Sequence, residues 1–127
     1  MVLAGNGRPL MPASASVADR PGVSGMLENG VRVVPMTARR YEFTPSRVVV
    51  NVGEKVKLVI RAIDTTHGFA LPDWRIDVKL PRDKTTEVEF TAEDAGTHEF
   101  HCSVFCGPGH DQMKGELVVL PEIGPKQ

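Results

Sequence analysis

The amino-acid sequence predicts an all-β fold, a β-sandwich with Greek-key connections that follows a flexible N-terminal arm. Seven short runs rich in β-branched residues fall between residues 31 and 120, and such runs are typical of strands. Turn-forming residues separate the runs at short intervals. No segment has the apolar period of a long helix. Short strands at this spacing indicate a sandwich of two packed sheets.

The predicted strands follow one another along the chain with clear punctuation. They are residues 31–37, 48–52, 55–63, 76–80, 85–91, 96–102 and 116–120. Apolar and polar side chains alternate most clearly in Lys55-Val-Lys-Leu-Val-Ile60 and Thr86-Glu-Val-Glu-Phe90, as half-buried strands require. The turns between strands contain Thr44-Pro45, Asn51-Val-Gly53-Glu54, Leu80-Pro81-Arg82-Asp83 and Asp94-Ala-Gly96.

The two ends of the chain differ in composition from its middle. Residues 1–30 are rich in Gly, Pro, Ala and Ser, which predicts a flexible arm. Residues 31–122 are predicted to form one domain, and residues 123–127 a C-terminal tail. No apolar run approaches the ~18 residues of a membrane span, and the first residues do not resemble a signal peptide. We favour a chain that lost an anchor or signal over a stand-alone domain.

Charge and motif content exclude several classes of function. The formal net charge is −1, which gives no reason to expect binding to nucleic acid or to an anionic membrane. The sequence contains no Ser-His-Asp set, no motif of paired carboxylates and no phosphate-binding loop. We therefore predict no catalytic residues and no catalysis by the chain alone.

One segment concentrates side chains that bind metals. It reads Cys102-Ser-Val-Phe-Cys106-Gly-Pro-Gly-His110-Asp-Gln-Met113 and holds both cysteines of the chain. Thiolates and thioethers select Cu(I), and imidazole suits either oxidation state of copper. The segment connects two predicted strands, and His67 follows another strand, so both connections can meet at one end of the sandwich. This pattern predicts a copper site, with the two sulfurs of the cysteines bridging a pair of ions.

Three alternatives remain open at the level of residue types. Two neighbouring cysteines in an oxidising compartment often form a disulfide, although the nearby His and Met favour a metal. Zinc fits less well, because Met is a poor zinc ligand and a second cysteine pair is missing. Cys106, His110, Met113 and His67 suffice for one copper ion, as in a mononuclear cupredoxin or a copper carrier or assembly protein. Cys102 is the residue that favours two ions over one.

The pattern Cys-x3-Cys-x3-His-x2-Met, with His-Gly-Phe upstream, resembles the CuA domain of cytochrome c oxidase subunit II. The resemblance covers residues 31–121 and implies a cupredoxin-like sandwich that transfers electrons. Nitrous oxide reductase has a related site, but Gly-Pro-Gly-His is more like the oxidase version. The ligands that the resemblance implies for two copper ions are the side chains of His67, Cys102, Cys106, His110 and Met113 and the carbonyl of Val104. Many oxidase subunits have a glutamate at the position of Val104 that also contacts magnesium, and Val104 lacks that side-chain oxygen.

The resemblance also implies partners and a location. Electrons would come from a cytochrome c-type donor and pass to a haem-copper oxidase subunit. The location would be the periplasm or the outer face of the cytoplasmic membrane, with membrane contact only through a partner or an anchor outside this sequence.

Several residues outside the ligand set carry weaker expectations. Trp74 follows the His67 connection, which makes it a candidate for the point where electrons enter, although ordinary packing explains it equally well. Asp73, Asp77 and Asp111 predict a negative patch beside the ligand loops that attracts a basic donor. His98 and His101 are expected to lie outside the ligand set, and strand alternation places His101 on the face opposite Cys102.

Overall fold

The computed structural model describes residues 22–122 and shows a sandwich of two sheets, which confirms the predicted fold class. The strands of the described residues are β1 (Met26–Glu28), β2 (Val31–Arg39), β3 (Glu42–Thr44), β4 (Arg47–Asn51), β5 (Lys55–Ala62), β6 (His67–Leu71), β7 (Ile76–Leu80), β8 (Thr85–Thr91), β9 (Gly96–His101) and β10 (Lys114–Leu120). Two short 3-10 helices cover Pro72–Trp74 and His110–Gln112. Within this range no helix is both long and apolar enough to cross a membrane.

Each sheet mixes parallel and antiparallel pairs. One sheet has the strand order β4-β10-β9-β6-β7, in which only β4 and β10 run parallel. The other has the order β1-β2-β5-β8, with β3 also paired to β2, and only β2 and β5 run parallel. The two strands that flank the ligand segment, β9 and β10, are therefore neighbours in one sheet.

The core lies between the sheets and follows the alternation of the strands. In β5 every second residue is buried, ending with Ala62. Three aromatic rings join the sheets below the ligand segment: Phe43 of β3 packs against Phe69 of β6 and Phe100 of β9, at centroid distances of 5.9 and 5.3 Å. Burial of such a side chain stabilises the fold by roughly 1.5–3 kcal/mol. These contacts fix the two strands that carry the first ligand residues.

Three strands escaped sequence analysis for different physical reasons. All five residues of β6 are buried, so the strand shows no alternation, and the glycine after His67 weakens its pattern further. The strands β1 and β3 have only three residues each, too few for a period to show.

The predicted arm at residues 1–30 extends too far toward the domain. Strand β1 pairs with β2, and the backbone N–H of Ser24 donates to the carbonyl of Val49 at 2.7 Å. The prediction is therefore wrong for Met26–Glu28, because pairing with a neighbouring strand orders a segment that has no apolar pattern of its own. Residues 1–21 of the predicted arm and 123–127 of the predicted tail lie outside the described residues.

The two ends of the sandwich carry different parts of the chain. At one end, which we call the ligand end, His67 pairs with Leu80 and His101 pairs with Lys114. Ala62, the last residue of β5, also lies here, where it bridges to Arg82. At the opposite end, which we call the distal end, the backbone N–H of Gly53 donates to the carbonyl of Ala92 at 2.7 Å.

Candidate metal centre

The ligand segment forms a closed loop between β9 and β10. Cys102 directly follows β9, and Met113 directly precedes β10. The backbone N–H of Cys102 donates to the carbonyl of Met113 at 3.0 Å, and the N–H of Met113 donates to the carbonyl of His110 at 3.1 Å. The loop therefore begins and ends at one point of the sheet, beside the start of β6, where His67 lies.

The six residues implied as ligands come together at this point. The Sγ atoms of Cys102 and Cys106 are 3.7 Å apart, and both cysteines are free thiols. Nδ1 of His67 lies 3.8 Å from Sγ of Cys102, and Nδ1 of His110 lies 3.8 Å from Sγ of Cys106. Sδ of Met113 is 3.8 Å from Sγ of Cys106. The carbonyl oxygen of Val104 is 3.1 Å from Sγ of Cys102.

Burial separates the centre from solvent on all but one side. His67 and Met113 are 0% exposed, and the two cysteines are 2% and 5% exposed. His110 is half-buried and forms the side of the centre nearest to solvent. Burial, together with the hydrogen bond to the neighbouring Cys102 thiol, raises the pKa of Cys106 to about 11. The Cys106 thiol is therefore protonated near neutral pH, and metal binding must release its proton.

Asp64 orients the ring of His67. Nε2 of His67 is 2.9 Å from Oδ1 of Asp64, and the backbone N–H of Arg40 donates to Oδ2 at 2.9 Å. Burial of Asp64 alone would raise its pKa, but these hydrogen bonds outweigh that effect and lower the pKa. The N–H at Nε2 donates a hydrogen bond to the ionised carboxylate, which leaves the lone pair of Nδ1 facing the thiols. This tautomer is the one that can bind a metal on the thiol side.

Arg40 and Tyr41 contact the ligand loop and support it. Nε of Arg40 donates to the carbonyl of Cys106 at 2.9 Å. Gly107 and Gly109 lie directly on the ring of Tyr41, so a Cβ at either position would collide with that ring. Gly107 also has a φ of 143°, which a residue with a side chain rarely adopts. Close approach to Tyr41 thus requires both glycines, and backbone conformation is a second reason at Gly107.

Sequence analysis missed four residues of this region: Arg40, Tyr41, Asp64 and Phe105. The ring of Phe105 is 75% exposed, and its centroid lies 5.6 Å from that of His110. Only Asp64 left a usable signal, since a carboxylate three residues before a ligand histidine is well placed to bond its second ring nitrogen. Arg40 and Tyr41 approach through strand pairing, which no local pattern reveals. Phe105 lies within the ligand segment, and its exposure is a property of the folded loop.

The structure corrects the expectation that Trp74 lies beside the ligand loops. Strand β6 carries the chain away from His67, so Trp74 lies at the distal end. Its indole N–H donates to the carbonyl of Thr91 at 2.7 Å, and its ring packs on Phe90 and His98. These contacts give Trp74 a packing role.

The three aspartates of the predicted negative patch do not lie together in the structure. Asp73 bonds His98 at the distal end, and Asp77 lies within β7, opposite Ala70. Of the three predicted aspartates, only Asp111 stays in the ligand loop, where it is exposed. His101 is half-buried.

The donor atoms present fit copper. His67, Cys102 and Cys106 offer ligand atoms that lie within 4.8 Å of one another. Two thiols, two imidazole nitrogens and a thioether make a soft donor set, which selects copper over the hard cations. The sheets hold these atoms in place before any metal binds, because the strands on both sides of the loop are packed into the core.

Comparison with known proteins places the chain among relatives of the same fold. The Cupredoxin-like domain family matches residues 13–119. The chain is 29% identical over 104 residues to nitrous-oxide reductase from Cupriavidus necator, an alignment of 78% of this chain and 16% of that protein. It is 28% identical over 86 residues to cytochrome c oxidase subunit 2 from Thermus thermophilus, or 68% and 64% of the two chains. The chain therefore spans about a sixth of the reductase.

A solved structure supports the same relationship at the level of fold. The periplasmic domain of subunit II of cytochrome oxidase (CoxB) from Bradyrhizobium japonicum superposes with a TM-score of 0.67 at 19% identity, covering 76% of this chain and 89% of that domain. These findings confirm the resemblance to cytochrome c oxidase subunit II. The chain belongs to the cupredoxin-like domain family, as a copper-binding domain related to cytochrome c oxidase subunit 2 and nitrous-oxide reductase.

Proposed function

We propose that this chain is a CuA-type electron-transfer domain that holds two copper ions. One observation carries the proposal: two buried, unbonded thiols lie 3.7 Å apart, and each has an imidazole Nδ1 at 3.8 Å. The arrangement is nearly symmetric about the sulfur pair, as a site for two like ions requires. When bound, the copper pair supplies the one-electron redox change.

Each side chain has a distinct part in the proposed site. Cys102 and Cys106 would hold the copper pair through their thiolates, and His67 and His110 would each supply an imidazole nitrogen. Met113 and the Val104 carbonyl are weak additional ligands, which tune a copper site more than they hold it. Asp64 keeps the proton of His67 on Nε2.

A single copper ion would use this set less completely. Cys106, His110 and Met113 would suffice with His67, and Cys102 would be left as a spectator thiol. Cys102 is 2% exposed and lies between His67 and Cys106. A pair of ions would use this buried thiol, whereas a single ion would leave it unused 3.7 Å from the sulfur of Cys106.

Electron transfer fits the surroundings of the site better than metal delivery does. A protein that delivers copper needs ligands that a partner can reach, whereas four of the five side-chain ligands here are at most 5% exposed. Ligands fixed between packed sheets also need little movement when the charge of the metals changes. A copper carrier or assembly protein is the competing proposal.

The proposed partners and location follow from the relatives. The Thermus thermophilus relative is a subunit of cytochrome c oxidase, and the Bradyrhizobium japonicum domain is periplasmic. By analogy, we assign this chain a cytochrome c-type donor, a haem-copper oxidase subunit as acceptor, and a place in the periplasm or on the outer face of the cytoplasmic membrane. The half-buried His110 and the exposed Phe105 make the surface of the ligand loop the proposed point of electron entrance, in place of Trp74.

Native mass spectrometry of the copper-loaded protein tests the proposal. The wild type should bind two copper ions, and Cys102→Ser should bind one or none, because a serine hydroxyl is a poor substitute for a bridging thiolate. His98→Gln serves as the matched control and should keep both ions, since His98 lies at the distal end. A wild type that binds one ion supports the mononuclear alternative and contradicts the proposal.

A further inference from the structure

Five exposed basic side chains surround one side of the ligand end, and we call this group the basic rim. It consists of Arg39, Arg40, Arg61, Arg82 and Lys84. They come from the ends of β2 and β5 and from the connection between β7 and β8. No sequence pattern joins them, because only the pairing of strands brings these three parts of the chain to one place.

Backbone and side-chain contacts tie the basic rim to the ligand connections. Arg40 bonds the carbonyl of Cys106. The backbone N–H of Arg82 donates to Oγ1 of Thr66, the residue before His67, at 3.2 Å. Nη1 of Arg61 donates to the carbonyl of Asp83 at 3.3 Å. The rim therefore follows the edge of the centre rather than a remote face.

The acidic side chains of the ligand end do not cancel this charge. Glu42, Asp83 and Asp111 are exposed beside the rim and the ligand loop, against the five basic groups of the rim, which leaves an excess of two positive charges. Lys114 is also exposed at this end, but it pairs with the exposed Glu99 at 3.9 Å, so this pair does not change the balance. The half-buried Asp64 reduces the excess to one, and its carboxylate is already bonded to His67 and the backbone of Arg40.

The distal end has the opposite character. Asp73, Glu93, Asp94 and Glu122 are exposed there, and Lys55 and Arg75 are exposed basic residues at the same end. The net charge of −1 thus combines an acidic distal end with a basic rim at the ligand end. Such separation gives the molecule a dipole that orients charged partners as they approach.

We propose that the redox protein that docks at the ligand end presents an acidic face, with Phe105 at the apolar centre of the contact. The inference rests on the proposed electron-transfer function and names its partner class. Charge complementarity of this kind mainly raises the association rate and suppresses partners of the wrong sign. It reverses the expectation of a basic donor, which depended on an aspartate patch that the fold disperses.

A matched pair of donors tests the inference by stopped-flow kinetics. The probes are reduced basic cytochrome c and the same cytochrome with succinylated lysines, whose surface charge is reversed. The succinylated form should reduce the copper-loaded chain faster at low ionic strength, and salt should slow it. A faster reaction with the basic form, or rates that do not depend on salt, would overturn the inference.

Charge-reversal variants locate the effect. The double variant Arg82→Glu, Lys84→Glu should slow the succinylated donor roughly tenfold at low salt. Arg75→Glu, together with Lys55→Glu, makes the same change in net charge at the distal end and should leave the rate nearly unchanged. If the two double variants slowed the reduction equally, only the net charge of the chain would matter, and this would contradict docking at the rim.

Measuring how succinylated cytochrome c binds to the copper-free protein tests this inference independently of the proposed function. Amide NMR shifts on titration with succinylated cytochrome c should concentrate at Arg40, Arg82 and Phe105, whether or not electrons are transferred. Shifts confined to the distal end would overturn the inference. Shifts at the rim that appear when the chain alone is concentrated would mean that the acidic end of a second copy binds there. This result would also overturn the inference. Rim binding without electron transfer would instead count against the proposed function.

Discussion

Each end of the sandwich holds a histidine that is hydrogen-bonded to an aspartate, and the two pairs have different roles. At the ligand end, Nε2 of His67 lies 2.9 Å from Asp64, and Nδ1 faces the Cys102 thiol. At the distal end, Nδ1 of His98 lies 2.6 Å from Oδ2 of Asp73, and Nε2 lies 2.9 Å from the carbonyl of Asp94. The carboxylate is common to both pairs, and the neighbour of the second nitrogen differs.

That second neighbour decides what each imidazole can do. A carbonyl oxygen and a carboxylate both accept hydrogen bonds, so both contacts of His98 are satisfied only when both of its ring nitrogens carry hydrogen. Burial of His98 would lower its pKa, but the bonds to Asp73 and to the Asp94 carbonyl outweigh this and raise the pKa. His98 therefore acts as a charged clamp between two connections, whereas His67 keeps a lone pair for a metal.

Exchanging each histidine for glutamine is the strongest test of this comparison. His67→Gln should lose most of its copper affinity, because it removes a buried ligand that Asp64 orients. His98→Gln should keep the copper and lose about 1–2 kcal/mol of unfolding free energy, as expected for broken hydrogen bonds to a charged group. Copper titration and urea denaturation of both variants measure the two effects. If His98→Gln lost the copper as well, the two ends would not be independent.

Replacing the orienting carboxylate should have a smaller effect at the ligand end. Asp64→Asn keeps the size of the side chain and removes its charge, so the ring of His67 is held less firmly in the metal-binding tautomer. We expect copper affinity to fall about 10–100-fold, in the range found when partners of metal ligands are removed. Competition with a copper chelator gives the affinity. Asp73→Asn is the matched control, and an equal loss there would refute a specific role for Asp64.

The smallest expected effect is a pH dependence that comes from the distal end. The folded pKa of His98 is raised above its ordinary value of 6.5, so its contribution to stability is complete below that value and is lost as pH rises through the folded pKa. We expect about 1 kcal/mol or less, because Asp73 is largely exposed and water screens the pair. Urea denaturation at pH 6 and pH 8, below the range in which the Cys106 thiol affects stability, should show this loss in the wild type.

Asp73→Asn should reduce that pH dependence. Glu93 also lies at this end, bonded to the indole N–H of Trp74 at 3.2 Å. A wild type whose stability rises from pH 6 to pH 8 would contradict a raised pKa for His98.

The sequence was informative where the signal is local. Alternation in β5 and β8 predicts half-buried strands, and the spacing of Cys102, Cys106, His110 and Met113 predicts one soft ligand loop. Both features depend on neighbouring residues in the chain. The fold class and the position of the ligand segment followed from them.

The failures arose where nearness in sequence differs from nearness in space. Trp74 is seven residues after His67, but strand β6 rises about 3.3 Å per residue and separates them by the length of the sandwich. Conversely, Arg40 is 66 residues from Cys106 and bonds its carbonyl. The orienting contacts and the basic rim depend on strand pairing, so only the folded structure reveals them.

The central claim is that the two thiols at the ligand end share two copper ions, and electron paramagnetic resonance tests it most directly. We predict that the copper-loaded wild type in its one-electron-oxidised form gives a signal split by two equivalent copper nuclei. Cys102 and Cys106 support this expectation because their Sγ atoms lie 3.7 Å apart with an imidazole nitrogen beside each. A signal split by one copper nucleus would contradict the account.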